Sequence, residues 1–295
     1  MAEPLKATFF AFSKREHRGV LRRAALTHAA LLFVTAIVAV LANSVVLGAL
    51  FQGQERSDPA GPIAQMMWLF SVLMAALIYF VLMASYEAAC LRWLIRGETK
   101  GFGGFSLAGD TARVWLGQWL WLAIAIPFLI VAGLVVTIVT QFFPTLAAVE
   151  GLPGLTWPVA WALLISPLAL RLAPGNATSV GRRKFAYFDA WRVTKDRFRA
   201  LGGSYLIVWL LWIIALVVVF FALSIPVFAV TGDNAERAPL INALMSGVSL
   251  LTIVGANMLA TLLLAGVNAR AVLAAAREGK IDGVDSPGDV ARVFE

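Results

Sequence analysis

The sequence predicts an all-α polytopic membrane helix bundle, with six transmembrane helices as three hairpins entered through cytoplasmic interfacial helices. Three observations predict it. Hydrophobic residues make up 60% of the chain and charged residues 14%, well away from the roughly half and quarter of soluble domains. Six long apolar runs separate the charged clusters, and only the second of them carries an Asp, Glu, Lys or Arg, Glu87. Lys and Arg fall almost entirely on one side of those runs.

The spans are expected at about 24–50, 63–91, 114–140, 151–170, 204–230 and 242–269, since about 20 apolar residues cross a hydrocarbon core of roughly 30 Å. The first follows a polar segment ending at Arg23 and is too long for a signal-peptide core, so it reads as an uncleaved span. The fourth is different. Trp157 to Leu170 rises only about 20 Å as a helix, and reaching back to Gly151 brings in Pro153 beside Pro158 and Pro167. Prolines bend or interrupt helices, so a short, tilted or broken span is expected, with Arg171 snorkelling to the interface. The six spans form one domain, 1–281, and the acidic, Pro- and Gly-containing residues 282–295 form a cytoplasmic tail.

Orientation follows from the cations, because cytoplasmic loops carry the excess. Six precede span one: Lys6, Lys14, Arg15, Arg18, Arg22 and Arg23. Arg92, Arg96, Lys100 and Arg113 lie between spans two and three. Arg171, Arg182, Arg183, Lys184, Arg192, Lys195, Arg197 and Arg199 lie between four and five, and Arg270, Arg277, Lys280 and Arg292 follow span six. Only Arg56 and Arg237 fall on the other side, a split of 22 against 2. An odd number of spans would destroy this alternation, so both termini are expected in the cytoplasm.

Arg182 to Leu201 form the fullest cytoplasmic segment. Wound as a helix, Tyr187, Ala190, Trp191, Thr194, Phe198 and Leu201 share one face at offsets 0, 3, 4, 7, 11 and 14, an apolar stripe. Basic residues on the opposite face suit a helix lying in the membrane interface. The alternative is an extension of span five that packs on its neighbours, with Gly202-Gly203 permitting a bend. Arg182, Arg183, Lys184, Trp191, Arg192, Lys195, Phe198 and Arg199 are the candidate lipid- or partner-facing residues.

Part of this pattern recurs. Asp110-x-x-Arg113 precedes span three, Asp189-x-x-Arg192 precedes span five, and each Asp lies 18 residues after a span-end Arg, Arg92 or Arg171. Asp and Arg three apart on a helix can pair. Two elbows of one design are expected. Ser13 to Glu16 fits a capping box for a third, with Phe9, Phe10 and Phe12 dipping into the interface. Gly279 suits a helix C-cap.

Chemistry is sparse. Glu87 is a functional candidate because it is ionisable inside a span; the structural alternative is a pair with Arg92, Arg171 or another elbow Arg. Asn257, near the middle of span six, is the second candidate intramembrane polar site, with interhelical hydrogen bonding as its structural alternative. The one cysteine, Cys90, and two histidines, His17 and His28, offer no metal-ligand spacing, and no cofactor is expected. Asn176-Ala-Thr178 matches a glycosylation pattern but falls in a cytoplasmic loop. Gly101, Gly103 and Gly104 in GFGGF lack the flanks of a phosphate loop and read as a flexible turn. The formal charge of +7 sits beside the spans, where anionic phospholipid rather than nucleic acid is the nearest partner.

The segments LRWLIRGE, residues 91–98, and RLAPGNATSVGRRKFAYFDAWRVTKDRFRAL, residues 171–201, resemble a family of uncharacterised six-span membrane proteins from alphaproteobacteria. More distantly, the layout is similar to the membrane domain of some bacterial glycerophosphodiester phosphodiesterases. The resemblance implies a bacterial inner-membrane location. The metal-binding catalytic domain of those enzymes has no counterpart here, so no activity is carried over. The expectation is a non-enzymatic scaffold, accessory or membrane-organising subunit, within a larger membrane protein complex or on anionic lipid. The alternative is a transporter or lipid-handling protein with a cavity between hairpins.

Overall fold

The computed structural model describes residues 4–13, 15–54, 60–142, 165–231 and 238–284. Its elements are α1 (Pro4–Thr8), α2 (Arg15–Gln54), α3 (Ala60–Arg96), α4 (Gly109–Phe142), α5 (residues 165–172), α6 (Gly175–Gly181), α7 (Ala190–Thr194), α8 (Phe198–Thr231) and α9 (Ala238–Arg277). No strand occurs among the described residues. Five helices, α2, α3, α4, α8 and α9, are long and apolar enough to cross a membrane. Residues 151–164 of the expected fourth span lie outside the described residues; its end, 165–172, is helical.

The outer surface of these helices is apolar. Met66, Phe70, Ile130, Leu206 and Ile225 are all more than half exposed, which water would penalise and hydrocarbon would not. α2 packs along α3, α8 along α9, and α3 also contacts α4 and α9, so α3 is the central helix.

The packed core is concentrated at the basic end. α3 is largely exposed from Met66 to Ile78 and buried from Leu82 to Arg96. The short helices close that end: α6 touches α3, α4 and α9, and α1 touches α8 and α9. The N-terminal segment, the 97–108 connection, residues 173–197 and the end of α9 therefore meet at one end of the bundle. Ser204 donates to the Pro4 carbonyl at 3.1 Å, Trp93 Nε1 donates to His17 Nδ1 at 2.9 Å, and Arg96 donates to the Val180 carbonyl at 3.0 Å.

Several expectations change on contact with the structure. Arg182 to Leu201 is not one helix. α6 ends at Gly181, Arg183 takes φ 54°, a 3-10 turn spans Tyr187–Asp189, and α7 and α8 follow separately. The break has a tertiary cause: Ala186 N–H donates to Ser179 Oγ at 3.1 Å, turning the chain so that Tyr187 packs against the backbone of Gly175 and Gly117. Gly202-Gly203 lies within continuous α8, and Gly203 admits Pro4 of α1 instead of bending. Phe10 is buried in the core rather than dipped into the interface. The GFGGF turn is docked, since Arg92 Nη2 donates to the Gly104 carbonyl at 3.0 Å and a Cβ at Gly103 would overlap Thr27.

The two elbows also differ. Asp110 is a buried hub, accepting from Arg96 at 2.5 Å and from Arg113 at 2.6 Å, with Arg92 Nη1 4.0 Å away. Asp189 is half-buried and pairs with Arg182 rather than Arg192. Arg171 stacks over the Trp191 and Phe198 rings, 5.2 and 5.0 Å from their centroids. Gly279 has φ 66° and closes α9 with Lys280 N–H on the Ala275 carbonyl and Gly279 N–H on the Ala276 carbonyl, the Schellman arrangement.

Candidate functional site

Where the packed half of α3 gives way to its lipid-facing half, a cavity of about 660 Å³ opens between α3, α4, α8 and α9, with α5 and α6 beneath it. On α3 it runs from Glu87 to Tyr79, eight residues and about 12 Å along a helix. Its volume lies in the range of small-molecule sites.

Glu87 sits at the basic end of this cavity, half-buried. Its two oxygens are held separately. Asn176 Nδ2, on α6, donates to Oε1 at 2.9 Å, and Gln118 Nε2, on α4, donates to Oε2 at 3.3 Å. The expected structural alternative, a pair with Arg92, Arg171 or another elbow Arg, is not what the structure shows. Arg92 turns toward Gly104 and Asp110, and Arg171 toward Trp191 and Phe198. Five residues separate Glu87 from Arg92 on α3, placing them on different faces of the helix.

Two glycines make this arrangement fit. A Cβ at Gly117 would overlap Asn176 Oδ1 and meet the Tyr187 ring at 3.1 Å, and one at Gly175 would meet that ring at 2.6 Å. The ring of Tyr187 thus lies against two bare backbones and forms the floor of the cavity. Burial, and secondarily the nearby Glu87 charge, push the Tyr187 phenol up from its ordinary pKa, so it is a neutral hydroxyl.

The walls are aromatic, with Tyr79, Phe80, Trp121, Tyr205, Trp209 and Trp212 among the lining residues. Asn257 lines the other end of the cavity and joins three helices. It accepts from Trp212 Nε1 at 3.1 Å and donates to the Tyr79 hydroxyl at 3.1 Å. Tyr205 donates to Asn268 Oδ1 at 2.8 Å. The two intramembrane candidates, Glu87 and Asn257, therefore line one cavity although they are far apart in the chain.

The eight candidate lipid- or partner-facing residues lie elsewhere. Arg182 is paired with Asp189, Arg183 with Glu98 at 2.6 Å, and Trp191 and Phe198 flank Arg171. Lys184, Arg192, Lys195 and Arg199 are exposed. Sequence reasoning missed Gln118, Asn176 and Tyr187. Gln118 carried a usable signal, a lone amide in an otherwise apolar run. Asn176 reads in sequence only as part of a glycosylation pattern, and nothing local links it to Glu87.

Comparison with family models, with curated proteins and with solved structures finds no match. The chemistry must therefore be read from the site itself. It can orient a carboxylate, surround a ligand with aromatic side chains and offer amides for hydrogen bonding.

Proposed function

We propose that this chain is a membrane-embedded binding protein, a transporter or lipid-handling protein whose ligand occupies the cavity above Glu87. One observation carries the proposal: a carboxylate inside a membrane-length helix faces a cavity large enough for a ligand, and amides rather than cations hold it. An intramembrane charge is costly and usually marks a substrate pathway. A carboxylate kept only for stability would sit against an Arg, as Asp110 does. No bond-making chemistry is assigned to the cavity.

The membrane placement has six crossings, the fourth within 151–170, and the basic end in the cytoplasm of a bacterial inner membrane. The positive-inside bias supports this, as does the meeting of α1, the end of α9 and the basic connections at one end of the bundle. α4 leaves that end and α5 arrives at it.

A second role is favoured by the exposed elbow surface. Phe185, Phe188 and Trp191 are exposed beside Lys184, Arg192 and Lys195, a combination that binds anionic phospholipid. The scaffold reading rests on this surface alone.

Native mass spectrometry of the gently extracted chain tests the main proposal. The unmodified chain is expected to retain a non-covalent small molecule or lipid. A cavity-filling Thr261→Trp variant of equal thermal stability should release it. Equal retention by both, or none by either, would overturn the proposal.

A further inference from the structure

The ligand class can be narrowed from the charge and hydrogen-bond inventory of the same cavity, and this step rests on the reading of the cavity as a binding site. Among the described residues, Glu87 is the only charged residue lining it; no Lys, Arg or His contributes. Residues 143–164 contain no Lys, Arg or His either, so that segment can supply no compensating cation.

Hydrogen bonding points the same way. A carboxylate offers about four lone-pair positions, and Asn176 and Gln118 each occupy one, on different oxygens. Each oxygen therefore keeps acceptor capacity for a donor on a ligand. The carboxylate also fixes how both amides are turned: their NH2 groups face Glu87, and their carbonyl oxygens face away. Those oxygens, Asn176 Oδ1 and Gln118 Oε1, are buried without a hydrogen-bond partner. Enclosed in this way they are closed to a ligand, so the Glu87 carboxylate is the charged acceptor that the basic end of the cavity presents.

The aromatic walls complete the pattern. Tyr79, Trp121, Tyr205, Trp209 and Trp212 line the cavity, and aromatic rings attract cations as well as alkyl groups. An anionic ligand would meet a like charge here and no donor cation. A neutral apolar ligand would leave the carboxylate uncompensated.

We infer that the cavity takes a ligand with a primary ammonium group on an apolar body, its N–H donors on the Glu87 carboxylate and its apolar part along the aromatic walls. Two sources share this chemistry: a free alkylamine and the head group of an aminophospholipid. In either case the cation comes from the ligand, which is why none of the described lining residues supplies one.

The test uses the full chain in maltoside micelles at pH 7 and follows the emission of the tryptophans that line the cavity. Hexylammonium is titrated against hexanol, which has the same chain and no charge. The expected result is saturable binding of both, with hexylammonium at least tenfold tighter. Glu87→Gln, which keeps the shape and both amide partners, should erase that preference. The amine–alcohol comparison on the unmodified chain stands even where the variant fails to fold. Equal saturable binding of amine and alcohol would overturn the ammonium assignment and leave the cavity as a binding site. Saturation by neither would overturn both. Within a positive result, competition identifies the source: dioleoyl phosphatidylethanolamine displaces hexylammonium where the lipid is the ligand, and fails to do so where the free amine is.

Discussion

Asn176 reaches across 89 residues of sequence to donate its side-chain amide to Glu87 Oε1 at 2.9 Å. This contact joins a short helix at the basic end of the bundle to the carboxylate at the base of the cavity. It exists because Gly117 and Gly175 leave room for Asn176 and for the ring of Tyr187.

Gly117→Ala is predicted to break that contact without touching Glu87. The new methyl group would overlap Asn176 Oδ1 and press on the Tyr187 ring. Overpacking of this kind costs about 1–3 kcal/mol. Thermal unfolding in detergent should show the loss, and ligand retention should fall with it. A variant as stable and as ligand-competent as the parent would mean that the Asn176 contact does not organise the site.

Asp110 is predicted to be the most sensitive position at the basic end. Asp110→Ala leaves Arg92 and Arg96, both buried, facing each other without their shared carboxylate. Breaking a buried ion pair costs about 3–5 kcal/mol, enough to abolish recovery of folded protein. Arg113→Ala is the contrast, since its side chain is partly exposed and such pairs contribute at most about 1 kcal/mol. Similar losses from both substitutions would contradict the hub.

Asn257→Leu is predicted to loosen the other end of the cavity. It removes the acceptor of Trp212 and the donor to Tyr79, a loss of about 0.6–1.7 kcal/mol per bond at membrane interfaces. Thermal unfolding of the single variants and the Asn257–Tyr79 double-mutant cycle measures it; strict additivity would exclude the coupling.

The clasp between the α7–α8 turn and the end of α9 sets a pH dependence. Lys280 Nζ lies 2.5 Å from Asp196 and 2.8 Å from Glu278. Its hydrogen bonds hold both carboxyls below their ordinary pKa values, and those same bonds raise the Lys280 ammonium. Carboxylates with lowered folded-state pKa stabilise above the ordinary carboxylate range, and that contribution is lost as pH falls through the folded values. A raised lysine contributes below its ordinary pKa and is lost as pH rises through the folded one. The difference in unfolding temperature between the parent and Lys280→Ala should therefore be full at neutral pH and disappear at both extremes. A difference that persists in acid would contradict the clasp.

The helical, membrane-like character was legible because hydropathy is a local property: a run of apolar residues reads the same wherever it packs. Glu87 was legible for the same reason, as the one acidic residue inside an expected span. Its partners were not. Gln118 lies 31 residues away and Asn176 lies 89, and no periodicity links either to the carboxylate. Arg92 and Arg171 looked like natural partners for Glu87 by charge and proximity in sequence, yet the docked Gly104 turn and the Trp191 and Phe198 rings take them. The continuous helix expected over Arg182 to Leu201 failed for a related reason. Of the stripe, Tyr187, Ala190, Thr194 and Leu201 are buried, Phe198 is partly buried and Trp191 is exposed; a helical period reports a face, not continuity. Tyr187 docking on two glycines breaks the helix, and only the tertiary structure shows it.

The cavity and its Glu87 carboxylate are tested most directly by the reactivity of a thiol placed inside. With Cys90 replaced by Ala, Thr261→Cys adds one thiol to the cavity wall. Its modification rates by a cationic aminoethyl and an anionic sulfonatoethyl methanethiosulfonate are each divided by the rate on a free thiol. The cationic reagent should be favoured at least tenfold, and Glu87→Gln should bring the ratio close to one. Equal normalised rates with Glu87 in place, or a thiol that neither reagent reaches, would contradict a cation-selective cavity above Glu87.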